Sequence, residues 1–149
     1  MNPSIITATA TPTPVAYDVR VNAGGAGYVD TLGNEWLSDR VYEAGSWGYV
    51  VAPFQPSYSY AVERPIDGSA EQTLFQSERY WDAPYTVYIR GYQFDVPNGY
   101  YRVELGFAEI YWTQGNQRIF DVNVEGQVIG PLDIAGLVGP NTAFVRTLP

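Results

Sequence analysis

The sequence predicts an all-β protein, a β-sandwich, on three observations. Segments rich in β-branched and aromatic residues alternate in polarity with a period of two. In residues 101–107, for example, Tyr101, Val103, Leu105 and Phe107 interleave with Arg102, Glu104 and Gly106. Turn-forming residues punctuate these segments, the chain holding 15 Gly and 11 Pro. Apolar residues nowhere recur at helical spacing over more than two turns, which leaves only residues 35–40 and 133–138 as short helices. At 149 residues the chain is long enough for one domain with its own core.

The elements follow in order. Residues 1–15, MNPSIITATATPTPV, are Thr/Ala/Pro-rich and read as an extended spacer. They lack the basic start of a secretory signal. The expectation is a linker from a larger exported protein, leading into a domain over residues 16–149. Residues 18–22 read as the first strand. The NAGGAG run at 22–27 then gives a tight backbone path that glycine permits. It lacks the GK[ST] ending and following helix of a phosphate loop. Residues 49–52 and 74–76 read as short strands. Residues 85–96, YTVYIRGYQFDV, form a longer one that stops at Pro97-Asn98-Gly99, and residues 100–108 form the next. In residues 117–124, Phe120, Val122 and Val124 face one way and Asp121 and Asn123 the other. Glu125-Gly126 then turns the chain into residues 127–129 as a hairpin.

Composition narrows the chemistry. Eight basic residues, all Arg, stand against 16 Asp and Glu, for a net charge of −8. That balance speaks against nucleic acid, whose binding rests on neutralising phosphates, and against anionic membrane surfaces. No run approaches the roughly 20 apolar residues of a membrane span, so no membrane insertion is expected. Without Cys or His the chain has no thiol or imidazole chemistry and no zinc site of that kind. Glu78, Glu104, Glu109, Asp121 and Asp133 are the candidate catalytic carboxylates, but no spacing isolates the pair that glycoside hydrolysis needs. Arg-pairing and turn capping account for them better than catalysis does, Glu78 adjoining Arg79 and Arg118 lying near Asp121. Asp18, Asp30, Asp39 and Asp133 show no calcium-loop pattern. The reading is therefore of a non-enzyme with no cofactor and no metal.

The aromatic residues, 13 Tyr and 4 Trp among them, are the more informative group. Tyr111 and Trp112 follow a strand directly and precede the polar loop Thr113-Gln114-Gly115-Asn116-Gln117. Trp47 lies in a Gly-flanked loop, and Tyr80-Trp81 in another after Glu78-Arg79. Flat rings at a rim suit the apolar C–H face of a sugar, and Glu109, Gln114 and Asn116 are at hand for its hydroxyls. Glu109 also reads as structural. The competing reading makes the rings end-plugs of the sandwich core.

A family resemblance adds weight to the first reading. VRVNAGG at 19–25, DxxGxxWxxD at 30–39, FQSERY at 75–80, VPxGxY at 96–101, FAEIYW at 107–112, RxFDV at 118–122, Gly126 and Asp133-Ile134 recur in the order and spacing of another group. The chain resembles the malectin and malectin-like domains, and among them the bacterial versions grouped as carbohydrate-binding modules. The likeness runs from about Tyr17 to the last residue. It implies a jelly-roll-like sandwich of the galactose-binding-domain type, a lectin that binds sugars through loops at one end. The expected ligand is a glucose-containing oligo- or polysaccharide, such as the α-linked glucose disaccharide units recognised by malectin. Carried over by motif, Tyr80, Tyr111 and Trp112 fall on ligand-binding aromatic positions, as does Trp47, where the family has Tyr before Gly. Asn22, Gly24, Gly25, Arg79 and Asp121 read as fold-keeping. The family continues past Thr147-Leu148-Pro149 with strands that carry a ligand-binding aspartate. The resemblance thus implies a domain short of its last strands, with an edge open to pairing with another chain or segment. It implies an extracellular or cell-surface setting within an exported multidomain protein. The alternative function is a structural or adhesive interaction module with no sugar ligand.

Overall fold

A computed structural model describes residues 17–51, 56–81 and 90–148. The expected linker over residues 1–15 lies outside the described residues, as do Tyr85 and Tyr88 of the long aromatic run. The fold is a β-sandwich of short strands. These are β1 (Val21–Asn22), β2 (Tyr28–Val29), β3 (Glu35–Ser38), β4 (Trp47–Tyr49), β5 (Ser57–Ala61), β6 (Ser77–Trp81), β7 (Tyr92–Phe94), β8 (Val103–Phe107), β9 (Phe120–Val124), β10 (Gln127–Leu132) and β11 (Phe144–Leu148). A short helix, α1 (Ile134–Val138), precedes β11.

The alternating run at 101–107 becomes β8, which pairs antiparallel with β11, Phe107 opposite Phe144 and Val103 opposite Leu148. The 125–126 turn joins β9 to β10 as expected. Glu125 at φ 49° and Gly126 at φ 88° both take the positive φ that a two-residue hairpin turn requires. Phe107 of β8 tilts against Phe120 of β9 at 5.5 Å, and the buried apolar residues include Ile66, Ile110, Leu132, Ile134 and Leu148. Asp133 caps α1, its Oδ1 accepting the Gly136 N–H at 3.0 Å.

Several local expectations are corrected. Residues 35–38 form a strand, not a helix. Leu37 pairs in parallel with Val21 while Trp36 pairs with Tyr28 across an antiparallel ladder, so tertiary pairing overrides the local pattern. Residues 72–75 form a 3₁₀ turn where a strand was expected at 74–76. β4 covers Trp47–Tyr49 and meets the expected 49–52 strand only at Tyr49, residue 52 lying outside the described residues, and of the 85–96 run the described strand is Tyr92–Phe94. Tyr80 and Trp81 lie on strand β6, not in a loop.

The β2–β3 turn is organised by one carboxylate. Asp30 accepts from the Leu32 and Asn34 backbone N–H groups, the Asn34 amide and the Trp36 indole. Desolvation pushes its carboxyl up, but the bonds from Asn34, Trp36 and Leu32 outweigh it and hold the pKa at about 2, below the ordinary 3.8. A folded-state pKa below the unfolded one stabilises above the unfolded value, and that contribution fades as pH falls through the folded one. Asp30→Ala is therefore expected to be less stable than the parent at neutral pH. The gap should narrow between pH 3.8 and about 2, which urea melts across that window would check.

Candidate functional site

One face of the β5–β6 ribbon gathers the rings. Ser57-Tyr58-Ser59-Tyr60 alternates, so Tyr58 and Tyr60 share a face, and the register sets Tyr58 opposite Tyr80 and Tyr60 opposite Glu78. Tyr58 and Tyr80 stack at 5.4 Å with planes 29° apart. Tyr60 meets Tyr111 edge-on at 5.5 Å, and Tyr111 meets Trp112 edge-on at 4.9 Å. Tyr111 is 55% exposed and Trp112 38%.

The loop that carries the last two rings is placed by its backbone. Glu109 is 3% exposed, and its Oε1 accepts the N–H groups of both Tyr111 and Trp112 at 2.9 Å. Its Oε2 lies 3.3 Å from the Arg118 guanidinium, which also binds Glu78 at 2.7 Å. Charge-assisted bonds of this kind are the strong ones, and here they run from β6 under the rings to the 111–112 loop. Burial pushes the Glu78 carboxyl up, Arg118 pulls it back, and the nearby Glu109 charge raises it again. Glu78 thus pairs with Arg118 across the fold and not with its neighbour Arg79.

Gln114 and Asn116 sit in the exposed loop beyond Trp112. The Gln114 N–H bonds to Gln117 Oε1 at 3.0 Å, and the Asn116 N–H to Asp133 Oδ2 at 2.6 Å, which ties this loop to the start of α1. Tyr80, Tyr111, Trp112 and Glu109 are thus brought together, with Gln114 and Asn116 following in the same loop.

Trp47 is not an exposed loop ring. It lies on β4 and is 6% exposed, with Phe94 stacked at 6.0 Å and the Arg40 guanidinium 4.4 Å from its centroid. This cluster continues through Tyr92 to Trp81 and Tyr49. Trp81 and Arg79 alternate with Tyr80 and Glu78 along β6, so the Trp47 cluster borders the opposite face of that strand. Its centre is Asp39, which accepts from Arg79 Nε at 2.6 Å, the Gly24 N–H at 2.7 Å and the Tyr92 hydroxyl at 3.0 Å. Arg79 also stacks on Tyr49 at 3.7 Å. Gly24 has φ 73°, and a Cβ there would run into the Glu78 carbonyl, so the glycine-rich turn is pressed against β6. Asn22 is buried and bonds to Ala26 O at 2.8 Å within that turn.

The sequence reading missed Tyr58 and Tyr60, although the strict Ser-Tyr-Ser-Tyr alternation carried the signal. It also missed the Glu78–Arg118 pair, which local sequence does not reveal. Among the described residues no group of three or more carboxylates is arranged to hold a metal ion.

Comparison with known proteins agrees with the motif order. The chain is 34% identical to Malectin-B of Xenopus laevis over 139 residues, covering 87% of this chain and 43% of that protein. It is 33% identical to Malectin of Homo sapiens over 137 residues, covering 87% and 41%. It therefore spans less than half the length of these relatives. Its structure superposes on a crystal structure of Bacteroides uniformis β-glucuronidase with a TM-score of 0.70 at 26% identity, covering 87% of this chain and 14% of the enzyme. The family model for the malectin domain matches residues 17–148, and the chain belongs to that family.

Proposed function

We propose that this domain is a non-catalytic carbohydrate-binding module for glucose-containing oligo- or polysaccharide. The exposed Tyr111–Trp112 pair carries the proposal, because a buried carboxylate fixes its backbone while both residues stay exposed to solvent. Tyr80 lies on the same side, and Gln114 and Asn116 supply amides beside the rings. The hydroxyls elsewhere in the fold make a contrast. Those of Tyr28, Tyr42, Tyr92 and Tyr101 each donate to an acceptor of the protein. Among the described residues those of Tyr80 and Tyr111 bond to no protein group, which leaves them for a ligand.

Binding without hydrolysis fits the carboxylates nearest the rings. Glu109 is buried and engaged by two N–H groups and Arg118, and Glu78 is held by the same guanidinium. The net charge of −8 favours a neutral ligand over an anionic one. Membership of the malectin family supports the sugar reading, as does the recurrence of the fold within a β-glucuronidase. The Thr/Pro tract supports a place in an exported multidomain protein, at or outside the cell surface. Among the described residues no helix is long and apolar enough to cross a membrane. An interaction module without a sugar ligand would bury its rings, and of the four rings singled out from sequence only Trp47 is buried.

The test is a tryptophan-fluorescence titration with α-linked glucose disaccharides, with cellobiose and galactose as controls. A saturable change confined to the α-glucosides is expected. A folded protein that responds to none of these sugars would overturn the proposal.

A further inference from the structure

We propose that Asn98-Gly99, in the turn between β7 and β8, is a site of self-modification at which Asn98 converts to aspartate and isoaspartate without an enzyme. The sequence reads Pro97-Asn98-Gly99 as the stop of a strand, and the sugar-binding reading makes no use of it. Asn followed by Gly occurs once in the chain. Pro97, Asn98, Gly99 and Tyr100 are all exposed. Among the described residues neither the Asn98 side chain nor the Gly99 N–H makes a hydrogen bond. The Tyr101 hydroxyl closes the turn by donating to Pro97 O at 2.6 Å, and so leaves both reacting groups free.

The reaction needs only those two groups and water. The Gly99 amide nitrogen, its proton lost to solvent, attacks Asn98 Cγ. As the new N–Cγ bond closes a succinimide ring, the Cγ–Nδ2 bond breaks and the nitrogen leaves as ammonia. Water then opens the ring at either carbonyl. One opening gives aspartate; the other gives isoaspartate, in which the main chain runs through Cβ and Cγ. The attack is intramolecular, and glycine brings no Cβ to obstruct it. Either product turns a neutral amide into a carboxylate and takes the net charge from −8 to −9. Isoaspartate also lengthens the main chain inside the stretch that the Tyr101–Pro97 bond spans.

The other described asparagines are protected by their neighbours or their bonds. Asn22 is buried, precedes Ala23 and donates to Ala26 O. The Asn34 amide donates to both oxygens of Asp30. Asn123 accepts the Gly126 N–H and precedes Val124. Asn116 and Asn141 precede Gln117 and Thr142, whose side chains crowd the attacking nitrogen.

Peptide mapping of the whole chain, held folded at neutral pH and body temperature, tests this. Trypsin cuts after Arg and releases residues 91–102, which hold Asn98 as their only asparagine. This segment is expected to gain the mass of an amide-to-acid exchange and to accept a methyl group from an isoaspartyl methyltransferase. The segments with the other asparagines should convert about tenfold more slowly or less. Gly99→Ala is the discriminating variant. Gly99 does not use the left-handed backbone, and an added Cβ would lie 3.7 Å from the Tyr101 ring, an ordinary contact, so the variant should fold. Its methyl should slow conversion at Asn98 about tenfold. An Asn98 that stays intact in the folded parent, or that converts as fast in Gly99→Ala, would overturn the proposal. Neither result bears on the sugar-binding reading.

Discussion

Trp112→Ala is expected to weaken binding of an α-linked glucose disaccharide by about tenfold to 100-fold, with the domain still folded. An exposed aromatic ring of a small stacking surface contributes on the order of 1–3 kcal/mol, and each 1.4 kcal/mol is tenfold in Kd. The fold should tolerate the change because the indole does not hold the loop. The Trp112 N–H to Glu109 does, and alanine keeps that bond. Calorimetry on the variant, beside a circular-dichroism melt, separates the two effects. Unchanged affinity in a folded variant would remove this ring from the site.

Asp39→Ala should have the largest effect on stability. The carboxylate is buried with Arg79, and it also accepts from the Gly24 N–H and the Tyr92 hydroxyl. Removing it strands a buried guanidinium and two polar donors, which costs about 3–5 kcal/mol. Desolvation opposes the charge on Arg79, yet Asp39 holds its pKa above the ordinary value. Burial and the same carboxylate push the Tyr92 phenol up. Chemical denaturation would measure the loss. A decrease below about 1 kcal/mol would mean that Arg79 finds solvent once its partner is gone.

These two variants also mark what was legible in the sequence. β8, the β9–β10 hairpin and α1 announce themselves locally, through alternation, a turn dipeptide and an Asp cap. Tyr111 and Trp112 were legible as exposed because a strand ends directly at a polar loop. Partnership across the fold was not legible. Phe144–Leu148 carries no clear alternation, and its strand character comes from pairing with β8 far earlier in the chain. Residues 35–38 look helical in isolation and become a strand because β1 and β2 pair on either side. Trp47 sits among glycines, a local sign of exposure. Its burial comes from Phe94 and Arg40, and Phe94 lies on a different strand. Arg118 reads naturally with nearby Asp121, but the fold hands it to Glu78 and Glu109.

The Glu109 anchor has a consequence for how such a domain diversifies. It grips main-chain amides at positions 111 and 112, which every amino acid except proline provides. The location of this loop is therefore independent of the side chains it displays. Substitution at these two positions can explore new ligand preferences while the scaffold beneath them stays put. The same separation makes the pair a natural starting point for engineered specificity, with Glu109, Arg118 and Glu78 kept fixed.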